Sequence, residues 1–160
     1  MKIYTEFPCY IHINITEVNP IALIQRNKKI YFIDNDFNLI PTTIKSLNYF
    51  TNIPIITNLS SSNLDLILTG EIINKILSEA EDIYDKLDEI RFYNDKIILH
   101  IGQNTEIIFN NKDYKNSLNK LIGFNNQVIK SKGIEIEKIY EKINLTVSKQ
   151  IITIEKKLEI

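Results

Sequence analysis

The apolar positions of the chain change period several times, and each change marks an element. Near the start, Ile11, Ile13 and Ile15 alternate with His12, Asn14 and Thr16, the period-two pattern of a half-buried strand. Pro20 interrupts the run, and a second apolar stretch, Ile21-Ala22-Leu23-Ile24, follows at once. "KIYFI", Lys29 to Ile33, continues the strand-like pattern, and "DNDFN", Asp34 to Asn38, has turn chemistry. Asp and Asn hydrogen-bond their own backbone and tolerate left-handed conformations. Together these predict a hairpin. Leu39-Ile40-Pro41 then leads into a connector rich in Thr, Asn and Pro that ends in "IPIITNLSSSN".

The period next becomes helical. Ser62 or Asn63 is the expected N-cap. Ile72, Ile73, Ile76, Leu77, Ala80, Ile83 and Leu87 form one apolar stripe. Glu71 with Lys75, and Asp82 with Lys86, are expected four-apart ion pairs. Gly70 weakens the start of this helix by about 1 kcal/mol relative to alanine. Three period-two runs follow, "EIRFY", "KIILHI" and "TEIIFN", separated by the turn signals Asn94-Asp95 and Gly102-Gln103-Asn104. A second helix is expected from about Asp113 to Lys132, with Tyr114, Leu118, Leu121, Ile122, Val128 and Ile129 on one face and Gly133 just past its end. "IEIEKIY", "INLTV" and "IITIEKK" close the chain as strands. Short turns favour antiparallel neighbours. The expected fold class is α+β: a mostly antiparallel sheet with two main helices packed on one face, preceded by a separate opening strand.

A chain of 160 residues is one ordinary domain, or one domain plus a fragment. The net charge of −1 lacks the basic surplus from which nucleic-acid binders draw most of their affinity, so no nucleic-acid partner is expected. Cys9, the single cysteine, forms neither an internal disulfide nor a thiolate cluster. No stretch approaches the roughly 20 apolar residues of a membrane helix, and the N-terminus shows no signal-peptide pattern. The chain reads as a soluble domain, or as the soluble part of something anchored.

Chemistry-bearing patterns are scarce. His12 and His100 each stand singly in a strand pattern, without the convergent partners that catalysis or metal binding needs. The acidic run from Glu79 to Glu89 lacks calcium-loop spacing and reads as a solvated helix face. The isolated glycines form no phosphate loop. Cys9 and His12 would lie on opposite faces of one strand. The sequons at Asn14, Asn58 and Asn144 are expected by chance in so Asn-rich a chain. No catalytic residue, metal site or cofactor is expected.

"FPCYIHINITEVNPIAL" resembles the end of the POTRA domain and the beginning of the β-domain in the FtsQ/DivIB family of bacterial cell-division proteins. The matching positions are Pro8, Ile11 to Thr16, Glu17, Pro20, Ile21 and Ala22. "YFIDNDFNLIP", Tyr31 to Pro41, resembles the family's next strand and aspartate turn. A helix, a strand meander, a second helix and a closing strand pair then follow in the family's order. Asn144-Leu145-Thr146-Val147 stands where many relatives carry an Asp-Leu-Arg-Tyr-like strand, which puts any contact through that arginine or tyrosine in doubt.

The resemblance implies a division at about residue 18: 1–18 as the last strand of a POTRA-like domain, and 19–160 as a β-domain. The rest of the POTRA domain, a cytoplasmic tail and one membrane helix would then lie upstream, with Met1 a trimmed start. It implies a single-pass protein of the bacterial inner membrane, with this domain in the periplasm or outside the cytoplasmic membrane. It further implies a non-catalytic scaffold that recruits and regulates division proteins, chiefly an FtsB/FtsL-like coiled-coil pair, through the terminal strands. The partner-binding residues are then expected at Val147, Lys149, Ile151, Ile152 and Ile154. In an extended strand Ile152 and Ile154 point one way and Ile151 and Thr153 the other. A bulge or turn over Ser148 to Gln150 would shift the apolar face from odd to even positions, and Lys149 would blunt the edge against promiscuous pairing. The same run also reads as an ordinary last core strand. The alternative function is a small ligand-binding or chaperone-like α+β module, which a concave apolar pocket between helix and sheet would mark. An enzymatic reading needs His100 to meet an acidic neighbour in space.

Overall fold

A computed structural model describes residues 2–6, 10–14, 17, 19–26, 28–50, 52–59, 63–102 and 104–157. Its strands fall into two sheets. The first pairs β1 (Lys2–Glu6) with β2 (Tyr10–Asn14), antiparallel, with Ile3 opposite Ile13. The opening alternating run is therefore not a lone strand. "KIYTE" supplies Ile, Tyr and Thr, all strand formers, and so answers the unpaired backbone groups of the second run. Pro8, Cys9 and the expected strand end at Ile15 and Thr16 lie outside the described residues, as do the cap candidate Ser62 and Gln103.

The second sheet has nine strands: β3 (Pro20–Arg26), β4 (Lys29–Asp34), β5 (Leu39–Pro41), β6 (Ile55–Thr57), β7 (Leu87–Tyr93), β8 (Lys96–Ile101), β9 (Thr105–Asn110), β10 (Tyr140–Asn144) and β11 (Ile152–Glu155). Their spatial order is β11-β10-β9-β8-β7-β6-β3-β4-β5. Five of the eight pairings are antiparallel and three are parallel, so the sheet is mostly antiparallel and the class is α+β.

Each main helix is a crossover between two parallel strands. α2 (Asn63–Glu79) and the short α3 (Glu81–Tyr84) carry the chain from β6 to β7, and α4 (Tyr114–Lys132) carries it from β9 to β10. Both connections step the same way along the sheet between strands of the same direction. Right-handed crossovers must then place both helices on one face, and α2 packs against α4. Between them and the sheet lies the core, with Ile72, Ile73, Ile76, Leu99, Ile107 and Leu121 essentially inaccessible to solvent. α1 (Ile44–Tyr49), capped by Thr43 and Ser46, packs on the opposite face near β4, where Phe50 meets Phe32 edge-to-face at 5.2 Å.

The predicted turns form as their chemistry requires. Asp34 Oδ1 accepts the N–H groups of Asp36 and Asn38 at 3.0 and 2.8 Å, and Asn38 Nδ2 donates to Oδ2 at 3.0 Å. Phe37 takes a φ of +63° in this turn, and its ring lies over Gly70 of α2. Asn94 (φ +55°), Gly102 (+49°) and Asn104 (+68°) occupy the left-handed region between β7, β8 and β9. Gly133 (φ +66°) ends α4 with its N–H on the Ile129 carbonyl at 2.8 Å.

Four expectations need correction. The first long helix stops at Glu79, and Ala80 (φ −155°) breaks the rise before α3. Leu87 therefore starts β7 instead of ending a helix. The expected ion pairs do not form. Glu71 reaches across to α4, accepting from the Tyr114 hydroxyl and lying 3.4 Å from Lys115 Nζ, while Lys75 pairs with Glu79 at 2.7 Å. Asp82 accepts from Asn125 Nδ2 at 2.8 Å, and Lys86 turns to Glu135 and Glu137. Finally, "IEIEKIY" contains a helical turn, α5 (Ile136–Ile139). Ile134, Ile136 and Tyr140 fit alternation, but Ile136, Ile139 and Tyr140 have the three- and four-residue spacing of a helix, and the buried pair Ile136 and Tyr140 anchors the turn.

Candidate functional site: the terminal sheet edge

β10 and β11 complete the sheet on the side of α4. Two hydrogen bonds establish which way their backbone groups point. Leu145 N–H donates to the Ile108 carbonyl of β9 at 2.8 Å, and Lys156 N–H donates to the Ile139 carbonyl at 2.8 Å. Backbone groups alternate along an extended strand. Lys142 and Asn144 therefore face β11, opposite Ile154 and Ile152, while Ile143 pairs with Thr153. The same alternation turns the N–H and carbonyl of Thr153 away from the sheet. β11 stands at the end of the strand order, so its outward groups form an edge.

The connection before β11 is held on three sides. Asn144 Oδ1 accepts from the N–H and hydroxyl of Thr146 at 3.0 and 2.7 Å. Asn110 Nδ2 donates to the Thr146 carbonyl at 3.2 Å, and Lys120 Nζ of α4 donates to the Val147 carbonyl at 2.9 Å. Gln150 N–H closes the turn on Val147 at 3.4 Å. Val147 and Lys149 thus lie in this turn, exposed, and not on the strand. Lys149 consequently sits before the ladder, where it does not guard the edge itself. Ile151 is half-buried and packs on the core, on the same side as Thr153. Ile152 and Ile154, 47% and 51% exposed, project from the opposite face, which the two main helices leave uncovered. Of the five residues, the fold brings Ile152 and Ile154 together on one face of the edge strand, and distributes the other three to the turn and the core side.

That uncovered face carries a polar row. Register places Ile154, Lys142, Glu106, His100, Glu89 and Ile55 side by side across the strands. Lys142 Nζ lies 3.5 Å from Glu106, and His100 Nε2 lies 3.8 Å from Glu89. Glu89 also receives Arg91 Nε and guanidinium nitrogens at 3.1 and 2.6 Å, and the Thr57 hydroxyl. Burial raises the proton affinity of Glu89, but the hydrogen bonds from Arg91 and Thr57 outweigh it and hold the carboxyl below the usual range. The acidic neighbour that an enzymatic reading needs is present, yet it is a fully engaged ion-pair acceptor and a weak proton acceptor. His12 belongs to β2, in the other sheet. Among the described residues no three His, Cys, Asp or Glu side chains converge as metal ligands, and no helix is long and apolar enough to span a membrane. The row has no signature in residue order, because cross-strand register is not visible in a linear pattern.

No family model matches the sequence, and no curated protein matches it. Among solved structures, the chain is similar to the major extracytoplasmic domain of the trans isomer of the bacterial cell division protein DivIB from Geobacillus stearothermophilus. The match has 12% identity and a TM-score of 0.44, covering 72% of this chain and 98% of that one.

A cavity of about 170 Å³ lies between α1 and the strands β3 to β5, lined by Pro20, Phe32, Ile40, Pro41, Ser46 and Phe50. It is smaller than the roughly 300–1,000 Å³ usual for small-molecule sites, and it is not between the main helices and the sheet.

Proposed function

We propose that this chain is a non-catalytic scaffold domain of bacterial cell division that acts outside the cytoplasmic membrane and binds a partner by accepting a strand at the edge of β11. The full protein would be anchored by a single upstream membrane helix, and the partner would be an FtsB/FtsL-like coiled-coil pair. The division role is supported by the resemblance of "FPCYIHINITEVNPIAL" and "YFIDNDFNLIP" to the FtsQ/DivIB family. The observation that carries the binding mode is the outward side of β11, which pairs with no strand among the described residues and is flanked by two half-exposed isoleucines. Main-chain hydrogen bonds to an added strand provide affinity, and alternate side chains provide specificity.

The opposite end of the sheet is a poorer acceptor. β5 has three residues and ends in Pro41, which has no N–H to offer.

Calorimetric titration of the chain with the extracytoplasmic segment of an FtsB/FtsL-like pair tests the proposal. Ile152→Glu and Ile154→Glu should fold normally, changing stability by roughly 0.5 kcal/mol because both sites are half exposed, and should weaken binding about tenfold or more. Thr153→Pro removes an outward N–H while sparing the ladder to β10, and should abolish binding. Unchanged affinity in all three folded variants would reject the edge as the site.

A further inference from the structure

Helix α4 supplies a second wall beside the open edge. Lys120, Phe124, Gln127 and Ser131 recur at i, i+4, i+7 and i+11, which is one row of a helix. Lys120 Nζ donates to the Val147 carbonyl at 2.9 Å, and the Phe124 ring centroid lies 5.4 Å from that of Tyr140 in β10. Those contacts place the row on the β10–β11 side of the helix. Asn125, bound to Asp82, marks the other side. At the far end of α4, Lys132 Nζ lies 4.0 Å from Glu155 of β11 and 5.7 Å from the Tyr140 ring centroid.

The edge is also locally basic on a molecule of net charge −1. From Leu145 to Ile160 the sequence carries Lys149, Lys156 and Lys157 against Glu155 and Glu159, with Lys156 Nζ donating to the Glu137 carbonyl at 2.7 Å. Lys120 donates to a neutral carbonyl, so that bond leaves its charge uncompensated. Lys120 and Lys132 stand about 18 Å apart along the helix axis. Residues four or six apart on one face of a strand span about 13 or 20 Å.

We propose that the strand accepted at this edge is acidic on the side that faces α4. Its carboxylates, four or six residues apart, meet Lys120 and Lys132. Its other face carries β-branched apolar residues that continue the surface of Ile152 and Ile154. The inference rests on the edge-pairing reading and adds to it the chemistry of the partner segment. A second copy of this chain is the poorer occupant, because two β11 strands paired through their edges bring like-charged lysines together.

Two labelled peptides test it by fluorescence anisotropy with the full chain: Glu-Ile-Thr-Val-Glu-Ile-Thr and its counterpart with glutamine at both glutamate positions. At low salt, about 50 mM, the glutamate peptide should bind about tenfold tighter, and the preference should fall to within about twofold near 0.5 M salt. Lys132→Gln, which leaves the Val147 turn untouched, should reduce the preference, and the double variant with Lys120→Gln should remove it while the glutamine peptide still binds. Circular dichroism checks that both variants fold. If the two peptides bind alike and Thr153→Pro abolishes both, the acidic-strand inference is wrong and edge pairing stands. If neither peptide binds, or Thr153→Pro binds as the parent does, edge pairing fails and the inference with it.

Discussion

In Gly70→Ala the added Cβ would stand 1.7 Å from Phe37 Cε1, far inside van der Waals contact. Alanine gains about 1 kcal/mol of helix propensity over glycine, whereas forcing an extra carbon into a packed contact costs about 1–3 kcal/mol. We therefore expect Gly70→Ala to destabilise the protein by about 1 kcal/mol in urea denaturation. In a Phe37→Ala background the same change should become stabilising. Stabilisation by Gly70→Ala alone would show that the ring does not occupy that space. The sequence exposed Gly70 as a weak point of its helix but not the cause. The left-handed φ of Phe37 aims its ring at α2, and a conformation that bulky side chains seldom adopt leaves no signature in a hydrophobic pattern. Asp34 is the contrary case: its three accepted hydrogen bonds are local, and local chemistry can be read from residue order.

Elements whose signals lie within themselves were readable. β7, β8 and β9 alternate cleanly between left-handed turns, and α4 has a stripe and a terminal glycine. β6 was not, since three residues beside Pro54 carry no period, and its place between β3 and β7 is set by parallel partners distant in sequence. α5 has a strand-like signature because Ile134, Ile136 and Tyr140 alternate, which masks the helical spacing of Ile136, Ile139 and Tyr140. Its position is instead fixed by a charge cluster in which Lys86 meets Glu135 and, at 2.9 Å, Glu137, while Lys138 meets Glu135 at 2.9 Å. Hydrogen bonds from Lys86 and Lys138 lower the Glu135 carboxyl to about 2. A depressed folded-state value contributes stability above the unfolded value near 4.3, and that stability is lost as pH falls through the folded one. Glu135→Gln should lower the melting temperature at pH 7, and the gap between the two proteins should close by about pH 2. A gap that persists unchanged at low pH would mean that packing, not charge, holds α5.

At the scale of the whole molecule, two right-handed crossovers stepping the same way put both main helices over one face and leave the other to β-sheet side chains and the short α1. Central strands then have neighbours on both sides and a core beneath, whereas among the described strands β1 and β2 pair only with each other. Local opening free energies range from near zero to the global value, and a two-stranded sheet is marginal by itself. Hydrogen exchange followed by mass spectrometry should show β8 and β9 as the slowest segments and Lys2–Glu6 with Tyr10–Asn14 as the fastest. Equal protection of both would show that the small sheet draws stability from contacts beyond its own pairing. The candidate site was partly visible in sequence: the facing of Ile152 and Ile154 follows from alternation alone. The place of α4 beside it is not, because Lys120 and Lys132 meet Val147 and Glu155 only after the chain has folded back. The inequality of the sheet's two ends also bears on stoichiometry. If β11 accepts a strand as proposed, β5, cut short by Pro41, offers no equivalent second margin, and one partner strand per chain is the expected ratio.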